Sequence, residues 1–535
     1  MSDAETFDFI IVGAGSAGCV LANRLTANGR HKVLLLEAGG EDRNPWIHIP
    51  LGYGKLFRNP SVNWGYEGVP EPGLKDRVIY HPRGKVLGGS SSINGLLYVR
   101  GQAEDYDRWA QMGMRNWGFD GVLPYFQRSE RNENGGDKWR GGDGPQPVSN
   151  ATATHPLCDA YIAACRETGL ADNPDFNGET QEGAGYYQST HRNGLRWSAA
   201  KSYLKPARGR SNLAVRTRAL ITRVLFEGRR ATGVVYEQRG ERHTVLAGRE
   251  VILSAGAVNS PQLLELSGVG NPDILAGRGI DVVHTAPDVG ENLQDHLQVR
   301  TVHECSEPIT LNDQYNNFFR RMGIGLQFAL SRKGPLTVSA GYAGSFYRTR
   351  PDLMTPDIQS LFIIFSTDKM GDRLHDFPGF TASFYQLRPE STGHIHIRSA
   401  DPTEAPDIWC NYLATETDRR ANIDGLRRLR EIMDGSAMAA FRKREIEPGP
   451  DVRSDDELLD YVRSTASTVY HPSSTCRMGV DDRAVVDERL RVNGLSGLRI
   501  VDCSIMPTMV SGNLNAAAIM IGEKGAEMIL EDAAG

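Results

Sequence analysis

What the chain lacks narrows it first. No stretch of its 535 residues approaches the roughly 18–20 uninterrupted apolar residues of a membrane-spanning helix. Cysteine is scarce: seven residues, at 19, 158, 165, 305, 410, 476 and 503, with no Cys-x-x-Cys pair. An odd, dispersed set argues against a disulfide framework or a structural zinc site and fits free thiols in a reducing compartment. Basic excess is missing too. Lys plus Arg number 60 against 66 Asp plus Glu, a formal net charge of −6, so nucleic acid is not an expected partner. Met1 to Thr6 is polar and acidic, without the basic start and apolar core of a signal peptide. The expectation is a cytoplasmic protein, with peripheral attachment to a membrane left open. Hydrophobic residues at 40% and charged residues at 24% exclude a disordered chain, and the length is several times the about 100–150 residues of a common domain.

What is abundant is glycine, 58 residues, and its placement carries information. Phe7 to Val12 is a short apolar run that reads as a buried parallel strand. It leads into Gly13-Ala14-Gly15-Ser16-Ala17-Gly18, then a helical stretch from about Cys19 to Thr26, then the apolar run Lys32 to Leu36 ending at Glu37. Strand, glycine turn, helix, strand and acid, in that order, open a Rossmann unit. Gly13 permits the tight turn, Gly15 has no Cβ to block a pyrophosphate, and Gly18 lets the helix approach the sheet. The helix N-terminus offers free amides and a positive dipole end. Glu37 follows Gly13 by 24 residues, where a carboxylate can accept hydrogen bonds from a ribose diol. A dinucleotide is implied, FAD or NAD, and composition does not choose between them.

Further along, residues 130 to 150 resemble a loop or boundary, and Val215–Arg218, Arg223–Phe226, Thr232–Glu237 and Glu250–Leu253 resemble successive strands. His394-Ile395-His396-Ile397-Arg398 alternates strictly. Its two histidines could ligate a metal, but no carboxylate or cysteine nearby in sequence completes a set, so a solvated strand face and no metal are expected. Asp418–Met433 and Asp455–Ser464 have helical spacing and abundant charge, as surface helices do. Ser260-Pro261 is a candidate helix start, with serine as cap and proline in the first turn.

Two glycine- and serine-rich stretches stand out: Pro82 to Gly95 and Gly256 to Gly270. With them come Gly290-Glu291-Asn292-Leu293-Gln294-Asp295-His296, then Tyr470-His471-Pro472-Ser473-Ser474-Thr475-Cys476-Arg477-Met478-Gly479, and finally Asp502 to Lys524 with Pro507-Thr508 and Gly512-Asn513-Leu514-Asn515. Together these segments, in order from residue 8 to 524, resemble the glucose–methanol–choline (GMC) family of flavoenzymes, in particular choline dehydrogenase-like members.

The resemblance implies an α/β chain in which a Rossmann-like FAD-binding domain (residues 1–153, 195–305 and 466–535) is interleaved with a substrate domain of antiparallel sheet plus helices (154–194 and 306–465). It implies that Gly13, Gly15, Ser16, Ala17, Gly18, Glu37 and Ala38 serve the ADP half of FAD, and that Val224 lies by the adenine. Val86, Gly89, Ser92, Asn94, Gly95 and Leu96 would lie along the flavin, with Asp502, Asn515 and Ala516 returning near the pyrophosphate and isoalloxazine. Some relatives bind FAD covalently through a histidine where this chain has Ile93, so FAD is expected to be non-covalent.

His471 matches the family's catalytic histidine and Asn515 its second polar residue. Alcohol oxidation removes a hydroxyl proton and a hydride. Histidine is the side chain most readily poised as the base, and an asparagine amide can orient the substrate oxygen. Asn515 also opens a helix-forming run whose positive end would stabilise reduced flavin. Ser473-Ser474 replaces the Val-Gly of many relatives, and local hydrogen bonding is the expected role. Cys476 reads as structural, since nothing nearby would form a thiolate. Tyr315, Phe318, Phe319, Phe328, Phe362 and Phe365 suggest an apolar pocket or ordinary core, and no cage for a quaternary ammonium stands out between 300 and 370. The implied activity is FAD-dependent oxidation of a primary alcohol, with a quinone-type acceptor. An O2-using oxidase and a hydroxynitrile lyase are the alternatives.

Overall fold

The computed structural model describes residues 5–534. The first strand, β1 (Glu5–Val12), turns buried from Phe9 onward with no alternation, because it lies inside a sheet covered on both faces. β2 (Val33–Glu37) is buried throughout and pairs parallel with β1. The sheet runs Leu213–Thr217, β2, β1, Glu241–Leu253, Arg230–Gln238, Ala219–Glu227, and Leu498–Ile500 also joins Glu241–Leu253 in parallel. The last three strands of that order form an antiparallel meander at one edge.

Helix α1 (Ser16–Thr26) starts directly after Gly15, three residues earlier than its sequence suggests, and packs against the C-terminal helix Leu514–Ala534. The two approach so closely at Gly522 that a Cβ there would lie 3.0 Å from the Ala17 Cα. Beside this crossing, the fully buried Glu523 takes a bidentate pair from Arg24 (2.7 and 2.8 Å) and a hydrogen bond from the Tyr203 hydroxyl at 2.9 Å.

A second sheet is antiparallel, in the order Arg442–Glu447, β3 (Leu297–Cys305), Gly379–Gln386, Ile358–Ile363, Ala343–Tyr347, Gly183–Tyr186. β3 pairs here, so the chain leaves the first layer near residue 296 rather than 305. The helix Glu416–Met433 is no simple surface helix. Its Leu426, Leu429 and Ile432 are buried, and Gly425 lets it sit on the Phe384 ring. Helix α2 (Gly256–Leu266) begins before Ser260, contrary to the sequence expectation. Its N-terminal amide, Gly256 N–H, is taken by Asp502 at 2.9 Å, and Ser260 Oγ donates to the same carboxylate at 2.6 Å instead of capping. Pro261 lies inside the helix. The Ala257 carbonyl that it leaves without its i+4 donor accepts from Thr475 Oγ1 at 2.7 Å. No helix among the described residues is long and apolar enough to cross a membrane.

The strand His394–His396 is not a solvated face either. Its His396 lies between two carboxylates, Glu265 at 2.7 Å and Glu291 at 3.0 Å, brought from α2 and from the Gly290 turn. Burial alone would lower the imidazole pKa, yet the two hydrogen-bonded acids raise it to about 9, so His396 is a charged clamp. Sequence distance concealed both acids.

Candidate active site

A cavity of about 870 Å3 runs between the two layers, from the glycine turn after β1 to His471. At the first end Gly13 has φ +98°, and a Cβ there would fall 2.6 Å from the Ser254 carbonyl oxygen. A Cβ on Gly18 would strike the Gly13 carbonyl at 1.9 Å, so that glycine serves helix-to-turn packing. Gly15 differs. The nearest protein atom to its missing Cβ is 3.8 Å away, and it lines the cavity together with Ser16 and Ala17. No side chain caps α1 and no acid occupies its first turn, which leaves its N-terminal amides and positive dipole end open to the cavity. Glu37, at the end of β2, accepts from Ala14 N–H (2.9 Å) and Gly39 N–H (2.8 Å). Burial raises its pKa to about 7 against the pull of those amides. The residues present therefore fit the pyrophosphate and ribose of a dinucleotide.

Of the other sequence candidates, Ala38, Gly89, Asn94, Gly95, Leu96, Asp502 and Asn515 line the cavity as well. Five candidates stand behind its wall or in the core: Gly18, Val86, Ser92, Val224 and Ala516. Val86 packs with Ile47, Leu56 and Val62, and Ser92 Oγ donates to the Leu87 carbonyl at 2.7 Å. A bulge between Ile221 and Arg223 turns Val224 into the core, its N–H bonded to Ser267 Oγ at 2.9 Å, and Leu220 and Ile221 line the cavity instead. Of the aromatic residues that suggest a pocket, Tyr315, Phe318, Phe319, Phe328, Phe362 and Phe365, none lines the cavity; Phe328, Phe362 and Phe365 are core, and Phe318 and Phe319 face outward.

At the far end, His471 is held from several sides. Its backbone N–H donates to Asp295 Oδ1 at 2.8 Å, and the same carboxylate accepts from the Tyr412 hydroxyl at 2.6 Å and from Thr468. Arg83 clamps the Tyr470 carbonyl at 2.6 Å. Tyr470 (φ +73°) and Ser474 (φ +74°) are left-handed non-glycine residues flanking the histidine, a strain that the surrounding hydrogen bonds maintain. Ser473 and Ser474 are buried, bond locally and stay out of the cavity wall, as expected. Burial holds the Cys476 thiol well above its ordinary range, so it is no nucleophile.

The side-chain hydrogen bonds fix the tautomer of His471. His296 Nε2 lies 2.9 Å from the Leu387 carbonyl, which can only accept, so that nitrogen carries the hydrogen and His296 Nδ1 accepts. His471 Nδ1, 3.0 Å away, must then donate. Its Nε2 is left with a lone pair, 3.2 Å from Asn513 Nδ2. Asn513 is oriented in turn by Gln359, whose amide donates to its Oδ1 at 3.2 Å and whose carbonyl accepts from Tyr385. Burial above all, then His296 and Arg83, lowers the His471 pKa well below the usual histidine range, so its imidazole is neutral at pH 7. Burial likewise pulls His296 down to about 4.

The structure places beside His471 an asparagine other than the Asn515 that the sequence suggests. Asn515 does not reach His471. It lies in the first turn of the C-terminal helix, and its Oδ1 accepts from Ser16 Oγ at 2.7 Å at the nucleotide end. Asn513, just ahead of that helix, is the residue beside the imidazole. His296 was within a recognised segment but had no role assigned from sequence.

The N- and C-terminal profiles of the GMC oxidoreductase family match residues 7–298 and 389–522. The chain belongs to the GMC oxidoreductase family. It is 45% identical to mitochondrial choline dehydrogenase of Mus musculus over 98% of this chain and 89% of that one. It is 44% identical to an alcohol dehydrogenase [acceptor] of Pseudomonas putida over 98% of this chain and 96% of that one. Among solved structures, pyridoxine 4-oxidase from Mesorbium loti superposes with a TM-score of 0.89 at 31% identity, covering 98% of this chain and 99% of that one. This GMC oxidoreductase is accordingly an FAD-dependent enzyme acting on CH–OH donors.

Proposed function

We propose that the protein oxidises an uncharged primary alcohol, aliphatic or aryl carbinol, to its aldehyde, with His471 as the base and a quinone-type compound as electron acceptor. The observation that carries this is the ordered hydrogen-bond chain from the Leu387 carbonyl through His296 to His471, which leaves Nε2 unprotonated and facing the cavity. An alcohol bound there donates its hydroxyl proton to Nε2, and the imidazolium that forms keeps its Nδ1–H on the His296 acceptor. Asn513, whose amide satisfies Nε2 when no alcohol is bound, yields that lone pair to the substrate hydroxyl and turns its amide hydrogen to the substrate oxygen, which fixes the direction of the carbinol carbon. Bound FAD supplies the hydride acceptor. Ile93, which lines the cavity where a histidine would be needed for a covalent link, supports non-covalent FAD. Leu514, Asn515 and Ala518 line the same wall, so the N-terminal end of the last helix faces the cavity and would favour negative charge on reduced flavin.

The charges felt at His471 argue against choline. Those that shift its pKa are His296 and Arg83, with no carboxylate among them. The position two residues beyond His296 is the neutral Gln298, hydrogen-bonded to Ser383 at 3.0 Å, and Arg300 also lines the cavity. Arg83 and Arg300 disfavour a quaternary ammonium beside His471, although Glu67, Asp368 and Glu447 also line the cavity. The Pseudomonas putida relative is named as a dehydrogenase with an unspecified acceptor, which is compatible with a quinone-type compound, whereas the solved pyridoxine 4-oxidase favours the O2 reading.

The test is anaerobic mixing of the yellow protein with choline, with aliphatic alcohols and with aryl carbinols. Bleaching of the flavin band by a neutral alcohol but not by choline is expected, with slow return of colour in air. Rapid return would replace the quinone by O2. A protein bleached only by choline would overturn the substrate class, and one that no alcohol bleaches but that cleaves a cyanohydrin would be a lyase.

A further inference from the structure

Helix α3 (Phe318–Ser331) anchors itself through only two buried side chains, Ile324 and Phe328. The rest of its length is exposed. Five of the thirteen exposed large apolar side chains among the described residues lie within these fourteen residues: Phe318, Phe319, Met322, Leu326 and Leu330. Phe319 is 81% exposed and Leu330 79%, values unlike those of core residues that merely graze the surface. At 3.6 residues per turn all five fall within about a third of the helix circumference, forming one continuous stripe.

Along the sequence the charge flanking the stripe is of one sign. No Asp or Glu occurs between Asp313 and Asp352, while Arg321 reaches the stripe at the Phe318 ring (5.8 Å), Arg320 lies toward the buried side of the helix, and Arg332 and Lys333 follow it. In a chain of net charge −6 this is a local cationic collar around an apolar face. The opposite side of the helix packs behind the active-site wall. Ile324 packs with Leu311, Ile363 and Phe365, and Ile363 lines the cavity. Leu374 joins the same cluster from the loop whose Lys369 and Met370 also line the cavity.

We infer that α3 docks the protein on an anionic lipid membrane, its apolar stripe entering the headgroup boundary and its arginines meeting lipid phosphates. A second copy of the chain is the poorer occupant, because its own α3 would bring the same cations against these. Docking in this pose sets the cavity rim beside the lipid. That consequence matters for electron transfer only if the acceptor is lipid-soluble, as proposed above; the docking itself does not depend on it.

The experiment is flotation of the holoenzyme with phosphatidylcholine vesicles, with and without phosphatidylglycerol. The wild type is expected to float with the anionic vesicles only, and less as salt is raised. Phe319→Glu combined with Leu326→Glu and Leu330→Glu should abolish flotation, and Arg320→Gln with Arg321→Gln should weaken it by about tenfold or more. These side chains are exposed, so flavin content and turnover with a water-soluble acceptor dye should match wild type in both variants. A wild type that stays at the bottom with anionic vesicles overturns the inference, and so does a concentration-dependent dimer that the triple variant dissolves. Use of a soluble dye keeps a wrong acceptor from affecting the outcome.

Discussion

At the nucleotide end of the cavity the working groups are backbone amides within Gly13 to Gly18, supported by one acid at the end of the next strand. At the catalytic end they are side chains from four separate segments, His296, Gln359, His471 and Asn513, with the two histidines 175 residues apart. The first end depends on where side chains are missing; the second depends on how each side chain orients its neighbour. Substitutions should therefore act differently at the two ends. Those at the first should decide whether flavin is present, and those at the second how fast it is reduced.

The largest effect is expected from Gly15→Val. The protein leaves room for a Cβ there, the nearest atom being 3.8 Å away, so the chain should fold but purify colourless and inactive. Gly18→Val should differ in kind, because its Cβ meets the Gly13 carbonyl at 1.9 Å, and soluble protein itself should be lost. Absorbance at the flavin band and circular dichroism separate the two. A yellow Gly15→Val protein would break the assignment of that end to the cofactor. At the other end, His471→Ala should keep its flavin and lose about 10²–10⁴ in the anaerobic reduction rate. Turnover within a few-fold of wild type would remove His471 from the base role.

A smaller effect distinguishes the asparagines. Asn513→Ala removes the amide beside Nε2 and should slow reduction by about 10²-fold with flavin content unchanged, since misorientation alone has that cost. Asn515→Ala removes the acceptor of Ser16 Oγ and should weaken flavin retention while leaving the reduction rate of the loaded enzyme close to wild type. The reverse pattern would restore the choice suggested by sequence.

This pair shows where sequence reasoning was sufficient and where it was not. The glycine turn was legible because each residue acts through local backbone geometry, which spacing encodes. Asn513 and Asn515 differ by two positions in one recognised segment, and only the helix start between them decides which faces the imidazole. Val224 was misplaced by a bulge, and the start of α2 by Pro261, whose orphaned carbonyl is met by Thr475 from far along the chain. His396 looked solvated because Glu265 and Glu291 are remote in sequence. For α2 and His396 the deciding partners are remote in sequence and leave no periodic trace.

The smallest effect concerns the histidine pair and is read from a pH profile. Burial, His296 and Arg83 all depress the His471 pKa, so the base is already neutral in the folded enzyme well below the ordinary value of about 6.5. In the wild type kcat/KM should therefore stay level as pH falls through 6.5 and decline only in more acid solution. Two imidazoles joined nitrogen to nitrogen do not readily both take a proton, so removing one relieves the other. His296→Leu should move the acid limb upward, toward but not beyond 6.5, since burial and Arg83 remain, and should lower the plateau several-fold because nothing then holds the proton on Nδ1. His296→Gln, whose carbonyl can accept from Nδ1–H, should recover most of the plateau while still showing the shifted limb. A merely structural His296 would lower the plateau in both variants without moving the limb, and that result would confine the tautomer argument to the resting geometry.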